Sequence, residues 1–245
     1  MVGPLTDDER YAFDLQGFLV RRGVLSPSEL ASLHDAIESL GLEAPGDTIQ
    51  SQRFSAHLPR SVVFQRLIDH PAVFDIVVEL CGRHVRLDHA YGIVMAPGTR
   101  GLGLHGGATP FDPAQYYLVR DGHIRCGLVA IQWALIDHPS GGGGFCCLPG
   151  SHKAGFPLPG QPDGALVMEV PLAAGDLVVF TEALTHGTLD WQGPGPRRTL
   201  LYKYSPGSST WADDQRWPSS LLEQLTERQR LLLQPPSVAY HQPVV

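Results

Sequence analysis

The sequence predicts a mainly β protein, a sandwich or jelly roll with helices packed around it. Residues 85–95 alternate apolar with other side chains, which is the period of two expected of a half-buried strand. Further short apolar runs follow at residues 126–136, 166–170, 177–181 and 199–204. Clusters of glycine and proline separate these runs, and several short strands divided by turns are typical of a sandwich or jelly roll.

Two helix start signals precede these strands. Thr6 is followed three residues later by Glu9, and Ser26 by Glu29, so each pair can form a capping box. In that motif the hydroxyl and the carboxylate satisfy backbone amides that the first helical turn leaves free. We therefore expect helices directly after Thr6 and Ser26, the second of them ending at Gly41.

The remaining elements are weaker predictions from apolar spacing and from the residues that end each run. They are a strand at residues 17–20, a helix at residues 71–80 that ends before Gly82, and a C-terminal helix at residues 221–233. A chain of 245 residues is long enough for one domain with a single core. We expect a helical part at about residues 1–83, a jelly-roll core at about 84–206 and a helical extension at about 207–245.

Composition narrows the choice of partners. The chain carries 18 basic and 25 acidic residues, a formal net charge of −7, and no basic run. Nucleic acid and membranes are therefore poor candidates as partners, and a small-molecule substrate is favoured. The four cysteines include an adjacent pair, Cys146 and Cys147, which suits reduced thiols better than a disulfide framework. We expect a cytoplasmic protein, and the composition does not predict its oligomeric state.

Three of the eleven histidines stand in contexts that suggest a special role. His105 follows a predicted strand within a glycine-rich segment, His186 follows the strand at residues 177–181, and His152 lies in the segment Pro-Gly-Ser-His-Lys. A sandwich can bring distant strand ends together, so His105 and His186 can meet. The other histidines are expected to pack or to lie at the surface.

The order of four segments resembles the phytanoyl-CoA dioxygenase family of Fe(II)/2-oxoglutarate-dependent oxygenases. The segments lie between residues 11 and 205: residues 14–20 followed by 25–30, residues 143–153, residues 175–180 running to His186, and residues 196–200. The resemblance implies a double-stranded β-helix core of the cupin type. It also implies Fe(II), 2-oxoglutarate and O₂ as cofactors and cosubstrate.

The resemblance assigns roles to individual residues. It implies that His105 and His186 bind the metal. The family's cosubstrate arginine follows the distal histidine by about eleven residues, which is Arg197, and Arg198 would face the other side of the strand. Arginine suits this task because its guanidinium matches a carboxylate with two hydrogen bonds. Thr188 is implied to contact the cosubstrate. The family's Pro-Gly-Ser-His segment is a structural turn, so His152 is expected at the surface or supporting the site without binding metal.

The sequence departs from the family at the proximal motif. The family has His-x-Asp, whereas this chain has His105-Gly106-Gly107, and glycine has no side chain to bind iron. Three explanations stay open. A carboxylate from elsewhere, Glu182 first and Asp112 second, can replace the missing ligand. Chloride can take the place beside Gly107, as in related halogenases. Alternatively, the site has lost its chemistry and serves binding or regulation.

The function expected from these observations is oxidation of an unactivated C–H bond, with decarboxylation of 2-oxoglutarate to succinate. Gln132 and Trp133, on a predicted central strand, are candidates to line the pocket, although a core position suits Trp133 equally well. The loops at residues 112–122 and 155–164 are expected to shape it. Nothing in the composition identifies the substrate, and a CoA thioester is not favoured because there is no basic surface for its phosphates.

Overall fold

The protein folds as a jelly roll in which two antiparallel sheets face each other. The computed structural model describes residues 4–45, 50–160, 162–212, 217–239 and 241–245. The strands are β1 (Phe18–Arg21), β2 (Ser51–Phe54), β3 (Val85–Met95), β4 (Tyr117–Arg120), β5 (His123–Cys126), β6 (Val129–Ala134), β7 (Gly144–Cys147), β8 (Met168–Glu169), β9 (Leu177–Thr181), β10 (His186–Leu189) and β11 (Arg197–Pro206). The larger sheet has the order β1-β9-β6-β11-β3-β2, and the smaller sheet has the order β10-β7-β8.

Helices cover the outer face of the larger sheet. They are α1 (Asp7–Gln16), α2 (Pro27–Glu38), α3 (Val62–Gln65), α4 (Phe74–Cys81), α5 (Ser219–Leu222) and α6 (Glu227–Leu232). Both predicted capping boxes are present. The Thr6 and Ser26 hydroxyls each accept a hydrogen bond from the backbone amide three residues on, and the Glu9 and Glu29 carboxylates accept one from the backbone amides of Thr6 and Ser26. Of the helices in the described part of the chain, none is long and apolar enough to cross a bilayer.

Several predicted boundaries differ from the structure. The apolar run at residues 126–136 is interrupted at Gly127, where a Cβ would lie 2.6 Å from the Ala114 carbonyl oxygen. The backbones approach closely there, so β5 ends and β6 begins. The predicted C-terminal helix is two short helices, because Thr226 caps a new start at α6. Residues 112–122 are not a simple loop, since they contain β4 and the turn into β5.

The two faces of the larger sheet pack differently. Side chains on the outer face, with those of the helices, form the larger apolar cluster, and it includes Trp133, Leu200 and Tyr202. The inner face meets the smaller sheet in a second cluster around Phe145 and Phe180. Because side chains alternate along a strand, this arrangement directs alternate residues of β6 and β11 into the space between the sheets.

A β-bulge interrupts the pairing of β3 with β11. Lys203 pairs with His89, but its neighbour Tyr204 pairs with Leu87, so Asp88 is an extra residue on β3. Leu87 and Ala90 both belong to the larger cluster on the outer face, whereas the two residues between them do not. The extra residue at the bulge therefore reverses which face the following odd-numbered residues occupy, and His89 and Tyr91 lie on the inner face.

All four cysteines are free thiols, and all are buried. They include Cys146 and Cys147, the adjacent pair on β7. Burial raises the pKa of the Cys146 thiol to about 11, so the thiol stays protonated near neutral pH. These residues therefore act as small apolar side chains in the core.

Candidate active site

The two candidate metal-binding histidines lie side by side at the edge of the smaller sheet. The His105 amide donates to the His186 carbonyl oxygen at 2.9 Å, and the His186 amide donates back to His105 at 2.9 Å. Their ring centroids are 4.3 Å apart. The segments that carry the two residues are 81 positions apart in sequence, and this antiparallel bridge joins them directly.

Backbone carbonyl groups orient both imidazole rings. His186 Nδ1 lies 2.7 Å from the Leu184 carbonyl oxygen, and His105 Nδ1 lies 3.0 Å from the Gly103 carbonyl oxygen. A carbonyl oxygen can only accept, so each Nδ1 carries a hydrogen, and Nε2 is the ring nitrogen that can face a metal ion. Metal-binding histidines commonly have this arrangement. Burial lowers the pKa of His186 to about 4, which keeps its ring neutral near pH 7.

A buried carboxylate approaches this pair of rings. Glu182 is 4 % exposed, and its Oε2 lies 3.9 Å from His186 Nε2. Its Oε1 forms an ion pair with Lys203 Nζ at 2.9 Å. Burial by itself raises the pKa of Glu182, but the charge of Lys203 and the hydrogen bond from it outweigh this effect, and the pKa is lowered. The Glu182 carboxylate is therefore ionised, and it is not the solvated turn residue that its position after β9 could suggest.

The spacing of these groups is compatible with a shared metal ion. Two ligand atoms that are each about 2.1 Å from one metal lie at most about 4.2 Å apart. The distance of 3.9 Å between Glu182 and His186 is within this limit. Within the described parts of the chain, however, no three histidine, cysteine, aspartate or glutamate side chains already form a metal cluster. The two histidines thus stay candidate metal ligands, and Glu182 would have to move slightly to join them.

The glycines after His105 pack tightly against the turn that precedes β10. A Cβ on Gly106 would lie 2.7 Å from the Leu184 carbonyl oxygen and 2.8 Å from that of Glu182. Gly107 has φ +119°, a conformation that residues with a side chain rarely adopt. The close approach explains the two glycines. The positive φ of Gly107 also means that an aspartate at this position would be strained.

Arg197 is a buried cation that has no acidic partner among the described residues. It opens β11, is 1 % exposed and points into the space between the sheets. Its Nη1 lies 3.3 Å from the Met95 sulfur. Within the described parts of the chain, its Nε has no hydrogen-bond partner and no carboxylate pairs with it. Loss of solvent lowers the Arg197 pKa to about 10, so the group stays charged. A buried, unpaired guanidinium is costly, and an anionic ligand such as 2-oxoglutarate would offset that cost.

Arg198 faces the opposite side of the strand. Its guanidinium contacts His34 and forms an ion pair with Glu38 on α2. It therefore has an acidic partner at the surface, as expected from the alternation of side chains along β11. The geometry distinguishes the two adjacent arginines and leaves Arg197 as the candidate cosubstrate anchor.

Thr188 and Gln132 also lie near this space. Thr188 is half-buried on β10, two residues after His186 and thus on the same face of the strand. Gln132 is buried on the inner face of β6 opposite Leu201, and no described residue hydrogen-bonds to its side-chain nitrogen. Trp133 does not line the pocket, because it belongs to the outer cluster and packs its ring 5.2 Å from that of His70.

Two other candidate residues, Asp112 and His152, do not contact the histidine pair. Asp112 accepts the Ala114 amide at 2.8 Å and so stabilises its own turn. His152 is not at the surface: it is 1 % exposed, and its Nε2 donates to the Asp14 carbonyl oxygen at 3.0 Å. Its ring also packs edge-on against Tyr117. Of the two expected positions for His152, the surface or a supporting place without metal binding, its burial fits the second.

The sequence reasoning missed Lys203. This residue lies in the strongly apolar run that forms β11, and it is 8 % exposed. A charged residue at such a position is rarely buried without a partner. That signal could have identified Lys203 as a candidate, but it does not reveal Glu182 as the partner.

The chain is similar to known proteins over most of its length. The family model described as phytanoyl-CoA dioxygenase (PhyH) matches residues 13–199. A crystal structure of HygX from Streptomyces hygroscopicus with nickel and 2-oxoglutarate bound is 29% identical, with a TM-score of 0.76 over 85% of this chain and 90% of that chain. Another HygX structure also contains hygromycin B and has 29% identity, the same coverage and a TM-score of 0.75.

A more distant structure has the same fold. The non-haem α-ketoglutarate-dependent epimerase SnoN from nogalamycin biosynthesis is 21% identical, with a TM-score of 0.61 over 81% of each chain. No curated protein matches this chain.

The jelly roll and the family match place this protein among the non-haem iron enzymes that depend on 2-oxoglutarate. Within that class, the chain belongs to the phytanoyl-CoA dioxygenase family.

Proposed function

We propose that this protein oxidises an unactivated C–H bond of a small molecule, most simply by hydroxylation. The substrate, O₂ and 2-oxoglutarate would give the hydroxylated product, succinate and CO₂. The observation that carries this proposal is Arg197, a buried guanidinium without a described acidic partner, in the same inner space as the two oriented histidines. A protein that had lost cosubstrate binding would gain nothing from a buried, unpaired charge.

The chain's own residues would bind, orient and shield the reacting groups. His105 and His186 would bind iron through Nε2, and Arg197 would bind the far carboxylate of 2-oxoglutarate, with Thr188 beside it. Bound iron supplies the means to activate O₂. The Phe180 ring, with its centroid 4.7 Å from that of His186, excludes water from one side of the site.

We infer that Glu182 supplies the third protein ligand. Its Oε2 lies nearer to the histidines and its Oε1 is fixed by Lys203, so the ion pair orients the carboxylate towards His186. Asp112 is disfavoured because it stabilises its own turn. This proposal explains how the site can bind iron although Gly107 has replaced the family's aspartate.

The substrate is proposed to be a small, polar metabolite or natural product. The similarity to HygX, which was solved with hygromycin B, supports a substrate of this size. The net charge of −7 argues against a nucleic-acid substrate. The four free thiols suit a cytoplasmic protein.

Anaerobic titration with Fe(II) and 2-oxoglutarate tests the proposed cofactors. We expect the weak visible charge-transfer band of an iron-bound 2-oxoacid, and we expect the His186→Ala variant to lose it. The His84→Ala variant, at an exposed histidine that bonds the His241 carbonyl oxygen, serves as the control. If the wild-type protein binds neither ligand, the proposal is wrong and the protein is an inactive homologue with a binding or regulatory role.

A second candidate function is halogenation, and Gly107 favours it. Position 107 carries no side chain, and the adjacent Gly106 lies against His186. If chloride replaced a carboxylate ligand, the substrate C–H, chloride, a proton, O₂ and 2-oxoglutarate would give C–Cl, water, succinate and CO₂.

Turnover with and without chloride distinguishes the two reactions. Because Glu182 already lies close to the histidines, we expect hydroxylated product and no dependence on chloride, with products identified by mass spectrometry. Bromide in place of chloride is the matched control for a halide effect. A chlorinated product would show instead that Glu182 does not fill the third position.

A further inference from the structure

Three side chains form a stacked row on the inner face of the larger sheet, and we call it the Arg53–Tyr91–His89 row. The Arg53 guanidinium lies 3.7 Å from the centroid of the Tyr91 ring. The His89 ring is nearly parallel to that of Tyr91, with an interplanar angle of 10° and centroids 5.8 Å apart. Arg53 is on the edge strand β2 and is exposed, so the row leads from the rim of the jelly roll inwards.

The row adjoins the candidate iron site. Lys203 Nζ lies 5.7 Å from the centroid of the Tyr91 ring, and the same ammonium group forms the ion pair with Glu182. Contacts therefore connect Arg53 at the rim, through Tyr91 and Lys203, to the carboxylate beside His186. A substrate bound along the row would extend towards the proposed metal ligands.

The β-bulge at Asp88 positions the inner end of the row. The buried Asp88 carboxylate accepts a hydrogen bond from His89 Nδ1 at 2.7 Å. It also accepts the backbone amides of Trp211 at 2.8 Å and Ala212 at 3.0 Å. This network fixes the His89 ring and leaves its Nε2 free, since no described residue hydrogen-bonds to that atom. Bulges often re-aim a side chain next to an active site, which is the effect here.

Charge indicates what the row would bind. Of the inner-face cations, Lys203 is neutralised by Glu182, and Arg197 is assigned to 2-oxoglutarate. Arg53 has no acidic partner among the described residues, whereas Arg21 and Arg198 pair with glutamates. Stacking on Tyr91 fixes the plane of the Arg53 guanidinium, and its N–H edge stays available for two parallel hydrogen bonds to an oxyanion.

We propose that the Arg53–Tyr91–His89 row is a substrate subsite that binds a carboxylate or phosphate group. The inference rests on the proposed function, because it takes the adjoining site to be the place of oxidation. It identifies the substrate class as small anionic molecules, bound by the acidic group at Arg53. His89 Nε2 would bind a polar group of the same molecule farther in.

Arginine side-chain NMR of the protein loaded with nickel and 2-oxoglutarate tests the subsite. One equivalent of 2-oxoglutarate occupies Arg197 and leaves no excess of this dicarboxylate, so added anions report on other cations. N-acetylglycine and methyl phosphate are the carboxylate and phosphate probes, and N-acetylglycinamide is the neutral control. We expect a saturable shift of the Arg53 Nε–H signal with at least one anion, and none with the amide. The two anionic probes distinguish a carboxylate from a phosphate substrate.

Arg228 provides a matched control. It is also stacked on an aromatic ring, 4.5 Å from the centroid of Phe74, but it lies on α6 outside the jelly roll. Arg53→Gln should weaken binding of the anionic probe by about tenfold or more, while Arg228→Gln should leave it unchanged. Equal shifts at both arginines, or no shift at Arg53, would overturn the subsite. Failure of the same sample to bind 2-oxoglutarate would contradict the proposed function instead.

Discussion

Replacing Arg197 with methionine should weaken 2-oxoglutarate binding by about a hundredfold or more. Loss of one partner from a buried charge pair typically costs about 2–5 kcal/mol. Methionine keeps much of the side-chain volume, and the neighbouring Met95 offers an apolar contact. Isothermal titration of the nickel-loaded protein with 2-oxoglutarate measures the effect.

The same substitution should not destabilise the ligand-free protein. Arg197 lacks an acidic partner among the described residues, so methionine removes an unpaired buried charge and should raise the free energy of unfolding. Arg198→Met is the matched control: it breaks the surface ion pair with Glu38, should cost at most about 1 kcal/mol, and should leave 2-oxoglutarate affinity unchanged. Equal losses of affinity in both variants would contradict the assignment of Arg197.

Replacing Glu182 with glutamine should weaken metal binding and also destabilise the protein. As a proposed ligand, the carboxylate should contribute a factor of about 10–100 or more to metal affinity. Its loss also leaves the buried Lys203 ammonium without a partner, and breaking a buried ion pair typically costs about 3–5 kcal/mol. Anaerobic Fe(II) titration and denaturant unfolding measure the two effects.

The double variant Glu182→Leu/Lys203→Met separates these effects. It removes both charges together, so most of the lost stability should return, because an apolar pair of similar volume often replaces a buried ion pair at little cost. Metal affinity should stay low if Glu182 is a ligand. Wild-type affinity in the double variant would show that Glu182 only pairs with Lys203, and would favour chloride or water in the third position.

The contact between Glu182 and Lys203 also determines the charge states of both side chains. Lys203 stays protonated despite its burial: loss of solvent lowers its pKa, but the charge of Glu182 more than compensates and the pKa is raised. Glu182 and Lys203 are therefore both ionised, and their opposite charges neutralise each other beside His186.

Features that depend on near neighbours in the chain could be predicted before the structure was known. The capping boxes at Thr6 and Ser26 are local hydrogen-bond patterns, and the structure contains both. The alternation of side chains along a strand separated Arg197 from Arg198. The pairing of His105 with His186 was expected from the order of the family's segments, although their separation in sequence carries little information about contact.

The tertiary structure decided the features that depend on strand register and on packing between sheets. The bulge at Asp88 has no local signal, because it arises only where β3 pairs with β11. The face of the sheet on which Trp133 lies follows from the position of the helices. The contact of Glu182 with Lys203 depends on how β9 and β11 flank β6, and local sequence patterns do not encode that distance. The family resemblance thus pointed to the histidines and the arginine, and long-range packing decided that Glu182 lies beside His186 and is paired with Lys203.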